Sequence, residues 1–167
     1  MNPDKLKELQ APIKERYLQN PDAALIKLRA ESNGGEGLMC KLETHQSVIE
    51  AGLHPATGGS GMEACSGDML LEALVACAGV TLKAVATAFN TELTKSKVVA
   101  EGDLDFRGTL GVVKEAPVGF QNITLTFDIA GDASDDSLKK IVEVTERYCV
   151  VLQTLKWAPK INTVISI

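Results

Sequence analysis

The sequence has few histidines, few arginines and no excess of positive charge, and these shortages exclude several classes of function. Only two of its 167 residues are histidines, His45 and His54, and no Cys-x-x-Cys or His-x-x-x-His spacing is present, so we expect no metal. The net charge of −5 argues against nucleic acid or an anionic membrane as a partner, because both attract basic surfaces. The glycine-rich run 57–61 lacks the Gly-Lys-Ser/Thr ending of a phosphate-binding loop, and we expect no cofactor.

The first residues, Met-Asn-Pro-Asp-Lys, are not followed by the apolar core of a signal peptide, so we expect a cytoplasmic protein. A reducing compartment disfavours structural disulfides, and paired cysteines there would be redox-active or metal-binding. The cysteines are Cys40, Cys65, Cys77 and Cys149.

The proline-free stretch 67–89 is rich in alanine and leucine and predicts a long helix. The residues that follow one face at helical spacing are Leu70, Leu74, Cys77, Thr81, Val85 and Ala88. The other sides carry Leu71, Val75, Leu82 and Phe89. A helix that is apolar all round is buried. The charges of Asp68, Glu72 and Lys83 along it, and the lack of flanking basic loops, argue against a membrane span.

The rest of the chain predicts an α+β fold, with a helical arm at 1–23 and one domain at 24–167. In the arm, Asn2 is expected to cap the helix and Pro12 to kink or end it. Alternating apolar residues predict strands over 24–30, 38–42 and 46–51, with a hairpin turn at 33–35. Further strands are predicted at 98–110, 123–129 and 161–167.

A second long helix is predicted from Ser134, its N-cap, to a stop at Pro159. Its apolar stripe includes Cys149, so Cys149 and Cys77 each lie on a buried helix face. If the two helices pack together, the two cysteines can come within disulfide range. On the pattern alone, two inert core cysteines are the simpler interpretation.

A reactive thiol also needs its thiolate stabilised, and apolar burial in the middle of a helix does the opposite for Cys77. A cation from another element would have to do so. The chain contains four arginines, Arg16, Arg29, Arg107 and Arg147. Arg29, on the polar face of the first predicted strand, is the best candidate, although a solvated surface charge is the simpler interpretation of it.

Three segments together resemble a known family. They are 66–77, which ends in Leu-Val-Ala-Cys; 106–120, which begins Phe-Arg-Gly-Thr-Leu-Gly; and 146–151, Glu-Arg-Tyr-Cys-Val-Val. They are similar to segments of the osmotically induced protein C and organic hydroperoxide resistance family, or OsmC-like family, and the resemblance runs from about Ala24 to the C-terminus. It implies a two-layer α+β fold with antiparallel sheets and two long central helices, in which two chains intertwine as a homodimer.

The resemblance also implies thiol peroxidase chemistry in defence against oxidative stress. Cys77 would attack the distal oxygen of an organic hydroperoxide, Cys149 would condense with it to a disulfide, and a dithiol reductant, often of the lipoyl type, would restore both thiols. The sequence departs from the family where Asp68 stands near an early-helix glutamate and where Val150 replaces the proline that often follows the second cysteine. Two alternatives stay open: a non-catalytic domain that binds a small hydrophobic ligand at the dimer cleft, and a structural role with inert cysteines.

Overall fold

The computed structural model describes residues 1–35, 37–43 and 47–166. Its elements in chain order are α1 Pro3–Gln19, β1 Glu31–Gly34, β2 Cys40–Glu43, β3 Val48–Gly52, β4 Ala64–Cys65, α2 Ser66–Ala88, β5 Leu93–Asp103, α3 Phe106–Thr109, β6 Asn122–Gly131, α4 Asp135–Tyr148 and α5 Val150–Lys156. Short 3-10 turns lie at Pro21–Ala24 and Pro55–Thr57. The α+β class is therefore confirmed.

The chain divides into two compact units. The first comprises Met1–Leu6, Ala73–Val99 and Thr126–Ile167, and the second comprises Lys7–Glu72 and Ala100–Leu125. Helix α2 and strands β5 and β6 continue from one unit into the other.

The core of the first unit lies between two helices and two strands. Its fully or nearly buried side chains are Leu82, Val85 and Ala86 of α2 and Ile141 of α4. The partly buried residues packed against them are Leu93, Val98, Phe127, Ile129 and Val144. The helices thus form one layer and the paired strands the other, because α2 and α4 turn apolar faces toward the inner side of β5 and β6.

Strands β5 and β6 form a two-stranded sheet. Glu92, before β5, exchanges bonds with Asp132, after β6, and Gln121 donates to the carbonyl of Asp103 at the other end. The strands therefore run antiparallel. The long alternation that predicts β6 is confirmed over Asn122–Gly131.

The second unit holds a four-stranded sheet in the order β1-β2-β3-β4. The β1–β2 and β2–β3 pairs are antiparallel. Strands β1 and β2 form a hairpin, but its turn begins later than the predicted 33–35, because Asn33 and Gly34 pair with Lys41 and Cys40. The two-residue strand β4 pairs with β3 in parallel, so this sheet is mixed. Residue 46, the start of the third predicted strand, lies outside the described residues.

Three expectations about the N-terminal part can be compared with the structure. Asn2 caps α1 as predicted, since its side chain accepts from the amide of Lys5 at 2.8 Å. The expected end at Pro12 is wrong, because α1 continues to Gln19 with Pro12 inside it. No residue of α1 is buried. The predicted strand 24–30 is also wrong within a single chain, where Ala24 ends a 3-10 turn, 25–30 form no strand, and Leu25, Ile26 and Leu28 are exposed.

Three further expectations are wrong in the C-terminal half. Residues 106–109 form α3 instead of the end of a strand, because the Asp105 side chain caps the turn by accepting from the amide of Arg107 at 3.0 Å. The second long helix is interrupted at Cys149, which has extended backbone angles of φ −73° and ψ 105°. The predicted last strand has no pairing within 158–166, and Ile167 lies outside the described residues.

Helix α2 is confirmed at Ser66–Ala88, but a single chain does not bury it all round. By length and composition it could cross a membrane, and the core helices of soluble proteins meet the same criteria. Only 28% of its most apolar stretch is buried within the chain, and Val80 is 73% exposed. An apolar face of α2 is therefore uncovered.

Candidate functional site

The first unit brings together the two cysteines that the sequence singled out. Cys77 lies in the middle of α2, and Cys149 lies between α4 and α5. Their thiols are in hydrogen-bonding contact and remain free. Cys149 is fully buried, whereas Cys77 is partly exposed. Only Cys77 of the pair can therefore be reached directly by a molecule in solution.

The interruption at Cys149 places backbone amides at the Cys77 sulfur. The last hydrogen bond of α4 is donated by the Cys149 amide to the Thr145 carbonyl at 2.9 Å. The first of α5 is donated by the Gln153 amide to the Cys149 carbonyl at 2.9 Å. The first amides of α5 have no carbonyl partner within a helix. Those of Val150 and Val151 donate to the Cys77 sulfur.

These contacts act on the charge of Cys77. Burial raises the pKa of the thiol, but the amide of Val151, the thiol of Cys149, the amide of Val150 and the hydroxyl of Thr81 outweigh it. The pKa of Cys77 is consequently lower than that of an ordinary cysteine. Each of these donors stabilises the thiolate more than the thiol.

The pKa of Cys149 is shifted in the opposite direction. Burial raises its pKa above the ordinary value, and the adjacent Cys77 raises it further through both a hydrogen bond and its charge. The pair thus combines a partly exposed thiol that ionises readily with a buried thiol that stays protonated. Two interacting thiols of unequal pKa are the arrangement in which one sulfur acts as nucleophile and the other as its later partner.

No arginine contributes to the lowered pKa of Cys77 in the described part of the chain. The Arg29 guanidinium pairs with Glu31 at 2.6 Å and is 78% exposed. Arg107 is held by Asp105, while Arg16 and Arg147 lie over the rings of Tyr17 and Tyr148. In this chain, backbone amides and a hydroxyl take the place of the cation that the sequence analysis required.

The other two thiols lie in the second unit and cannot pair with each other. Cys40 stands opposite Ala51 and Cys65 opposite Gly52, and Ala51 and Gly52 are neighbours in β3. Adjacent residues of a strand point to opposite faces of the sheet, so the two side chains do too. Among the described residues, no group of His, Cys, Asp or Glu is placed to hold a metal ion. His45 lies outside them.

Cys65 opens onto a cavity of about 350 Å³ within the second unit. The rings of His54 and Phe106 stack along its wall at 4.9 Å, and Phe120 and Asp68 line it as well. The His54 Nδ1 accepts from the amide of Ala56 at 3.0 Å, which holds the ring in place.

The sequence analysis missed the groups that act on Cys77. Thr81 was assigned to an apolar helix face, although its position four residues after Cys77 places its hydroxyl beside the sulfur. The amides of Val150 and Val151 carry no side-chain signal. Only a break in the predicted second helix could have revealed them.

Comparison with known proteins agrees with this architecture. A family model described as OsmC-like protein matches residues 59–164, which contain both Cys77 and Cys149. An OsmC-like protein from Mycoplasma pneumoniae has a TM-score of 0.66 at 20% identity, covering 80% of this chain and 89% of that one. An organic hydroperoxide resistance protein from Elizabethkingia anophelis, with thiocyanate bound, has a TM-score of 0.63 at 15% identity over 80% and 91% of the two chains.

The organic hydroperoxide resistance protein OhrB of Bacillus subtilis has a TM-score of 0.53 at 17% identity, over 80% of this chain and 93% of that one. These identities show a shared fold and nothing finer. No curated protein sequence matches significantly. Because the family model covers more than half of the sequence and the fold agrees, the chain belongs to the OsmC-like protein family.

Proposed function

We propose that this protein is a thiol-dependent peroxidase that reduces organic hydroperoxides through Cys77 and Cys149, in defence against oxidative stress. The observation that carries the proposal is the contact between a partly exposed thiol of lowered pKa and a buried thiol of raised pKa. Two structural neighbours are named organic hydroperoxide resistance proteins, which fits this class of substrate. We further propose that the protein works in the cytoplasm.

The asymmetry of the pair supports a different role for each cysteine. The Cys77 thiolate attacks the distal oxygen of the hydroperoxide, the O–O bond breaks, and the departing alkoxide takes a proton to leave as an alcohol. Cys77 is then a sulfenic acid. The Cys149 sulfur attacks it, a Cys77–Cys149 disulfide forms, and water leaves with the Cys149 proton. A dithiol reductant, for which a lipoyl-type molecule is suitable, reduces the disulfide to two thiols and becomes a disulfide itself.

We also propose that the working form is an intertwined homodimer. The apolar face of α2 around Val80 is uncovered in the single chain. Segments 25–30 and 158–166 form no strand within the single chain and carry exposed apolar residues, although both have strand-like sequence patterns. A second copy would cover the helix face and supply strand partners for these segments. A membrane would cover the helix face but would supply no strand partners.

The proposed activity is tested by following the loss of cumene hydroperoxide with dihydrolipoamide as reductant. Wild type should turn over, and Cys77→Ser should fall to the rate without protein. Cys149→Ser should retain one rapid equivalent of peroxide reduction, since Cys77 can still be oxidised once. Cys65→Ser, whose thiol lies in the other unit, is the matched control and should equal wild type.

Equal rates for wild type and Cys77→Ser would refute the peroxidase proposal. That result would leave the non-catalytic, ligand-binding alternative as the better account of the fold.

A further inference from the structure

The carbonyl of Glu146, in the last turn of α4, loses its ordinary helical donor where the chain breaks. In a continuous helix each amide donates to the carbonyl four residues earlier, so the Val150 amide would donate to Glu146. Here the Val150 amide donates to the Cys77 sulfur instead. The site therefore depends on something else satisfying the Glu146 carbonyl.

Gln153 supplies that donor. Its side-chain Nε2 donates to the Glu146 carbonyl oxygen at 2.8 Å, across the break. Gln153 is partly buried, and a carbonyl in such a place is costly to leave without a donor. Lys156 also spans the break, with its Nζ 3.4 Å from a Glu146 carboxylate oxygen. Both of those side chains are nearly half exposed, and such ion pairs contribute little.

We propose that Gln153 is a positioning residue for the Cys77 thiolate. By replacing the Val150 amide at the Glu146 carbonyl, the Gln153 side chain holds the chain open at Cys149 and keeps the Val150 amide on the Cys77 sulfur. Without it, the Val150 amide can return to Glu146 and join α4 to α5 as one helix. The inference deepens the proposed function and rests on it for its catalytic consequence, but not for its effect on the thiol.

Gln153→Met tests the inference, because methionine keeps the length of the side chain and removes the donor. Alkylation of Cys77 by iodoacetamide is followed against pH by peptide mass spectrometry, which separates it from the other cysteines. Among the described residues, Cys149 is the titratable group in contact with the Cys77 sulfur, so its labelling is followed too. We expect the Cys77 midpoint to rise by about one pH unit. The pH profile of hydroperoxide reduction should move to higher pH by the same amount.

Thr154→Val is the matched control. The Thr154 hydroxyl donates to the Val150 carbonyl at 2.9 Å, wholly within α5. Its loss should lower the melting temperature slightly and leave the Cys77 midpoint unchanged. If Gln153 had only a structural role, Gln153→Met would likewise lower the melting temperature and leave the Cys77 midpoint unchanged. An unshifted Cys77 midpoint in folded Gln153→Met would therefore overturn the inference.

A double-mutant cycle with Val150→Pro makes the test specific. Proline has no amide hydrogen and cannot rejoin α4 to α5, so in that background Gln153→Met should shift the Cys77 midpoint by much less. Equal shifts in both backgrounds would contradict the inference. If Gln153→Met does not fold, Gln153→Asn keeps the amide but is one methylene too short, and it must show the same rise for the inference to stand.

The two proposals fail differently. A wild-type protein with no peroxidase activity refutes the function, while the Cys77 midpoints still decide the role of Gln153. An active wild type with identical midpoints in both Gln153 variants refutes the role of Gln153 and leaves the function standing.

Discussion

Replacing Val150 by proline removes one hydrogen bond to the Cys77 sulfur and puts the ring Cδ where the amide hydrogen was. Val150 is the first residue of α5, where the φ angle of proline fits a helix and its missing amide hydrogen breaks no helical bond. Cys149 already has extended angles, φ −73° and ψ 105°, which the residue before a proline prefers. The substitution therefore removes the donor and breaks no helical hydrogen bond.

The size of the effect follows from the bond that is lost. A hydrogen bond to a charged group contributes about 1.5–3 kcal/mol, and one pKa unit corresponds to about 1.36 kcal/mol. Because Cys77 is partly exposed and keeps the Val151 amide and the Thr81 hydroxyl, the lower end applies. We expect the pKa of Cys77 to rise by about one unit in Val150→Pro.

The assay measures the rate constant of hydroperoxide reduction between pH 5 and 9 in single-turnover mixing. Removal of a thiolate donor raises the pKa, so the rate profile of the variant should move to higher pH and the rate at neutral pH should drop. Val150→Ala, which keeps the amide, should give the wild-type profile. A Val150→Pro protein with a native circular dichroism spectrum and an unmoved profile would refute the assignment of this amide to the thiolate.

Three further predictions follow from individual contacts. Thr81→Val should raise the pKa of Cys77, because it removes the hydroxyl that donates to the sulfur, and Thr81→Ser should leave the pKa as in wild type, because it keeps that hydroxyl. Both are measured by pH-dependent alkylation. Ile141→Ala should lower the free energy of urea unfolding by about 2–5 kcal/mol, since Ile141 is fully buried in the core of the first unit. Val80→Asp, at an exposed position of α2, should convert a dimer to a monomer in sedimentation velocity; an unchanged dimer would place the interface elsewhere.

Local patterns predicted the elements that depend on local sequence. Helix α2 and strand β6 have long, uninterrupted periodicities, and the structure has both within a residue or two of their predicted ends. Asn2 and Ser134 were identifiable as caps from their residue type, because short polar side chains suit this position. In the structure, each accepts from the amide three residues ahead. Helix α3 was missed because the alternation up to Leu110 outweighed the cap at Asp105, which folds the chain into a turn.

The decisive part of the site is not encoded in a local pattern. The apolar stripe that continues through Cys149 to Leu155 predicts one helix. The amides of Val150 and Val151 instead donate to the Cys77 sulfur on α2, so they do not make the helical bonds that would join α4 to α5. This contact joins residues far apart in the sequence, so no periodicity reveals it. The same limit explains 24–30 and 158–166, whose alternation is real but whose strand partners are not supplied by the single chain. The domain boundary predicted at residue 24 stays a prediction, since the family match begins at residue 59.

The most direct test of the proposed chemistry is peptide mapping after one equivalent of cumene hydroperoxide, with free thiols blocked before digestion. The proposal predicts a single crosslink between the peptides of Cys77 and Cys149, with Cys40 and Cys65 blocked as thiols, and no crosslink in Cys77→Ser. Recovery of Cys77 and Cys149 as unreacted thiols, or a crosslink through Cys65 instead, would contradict it.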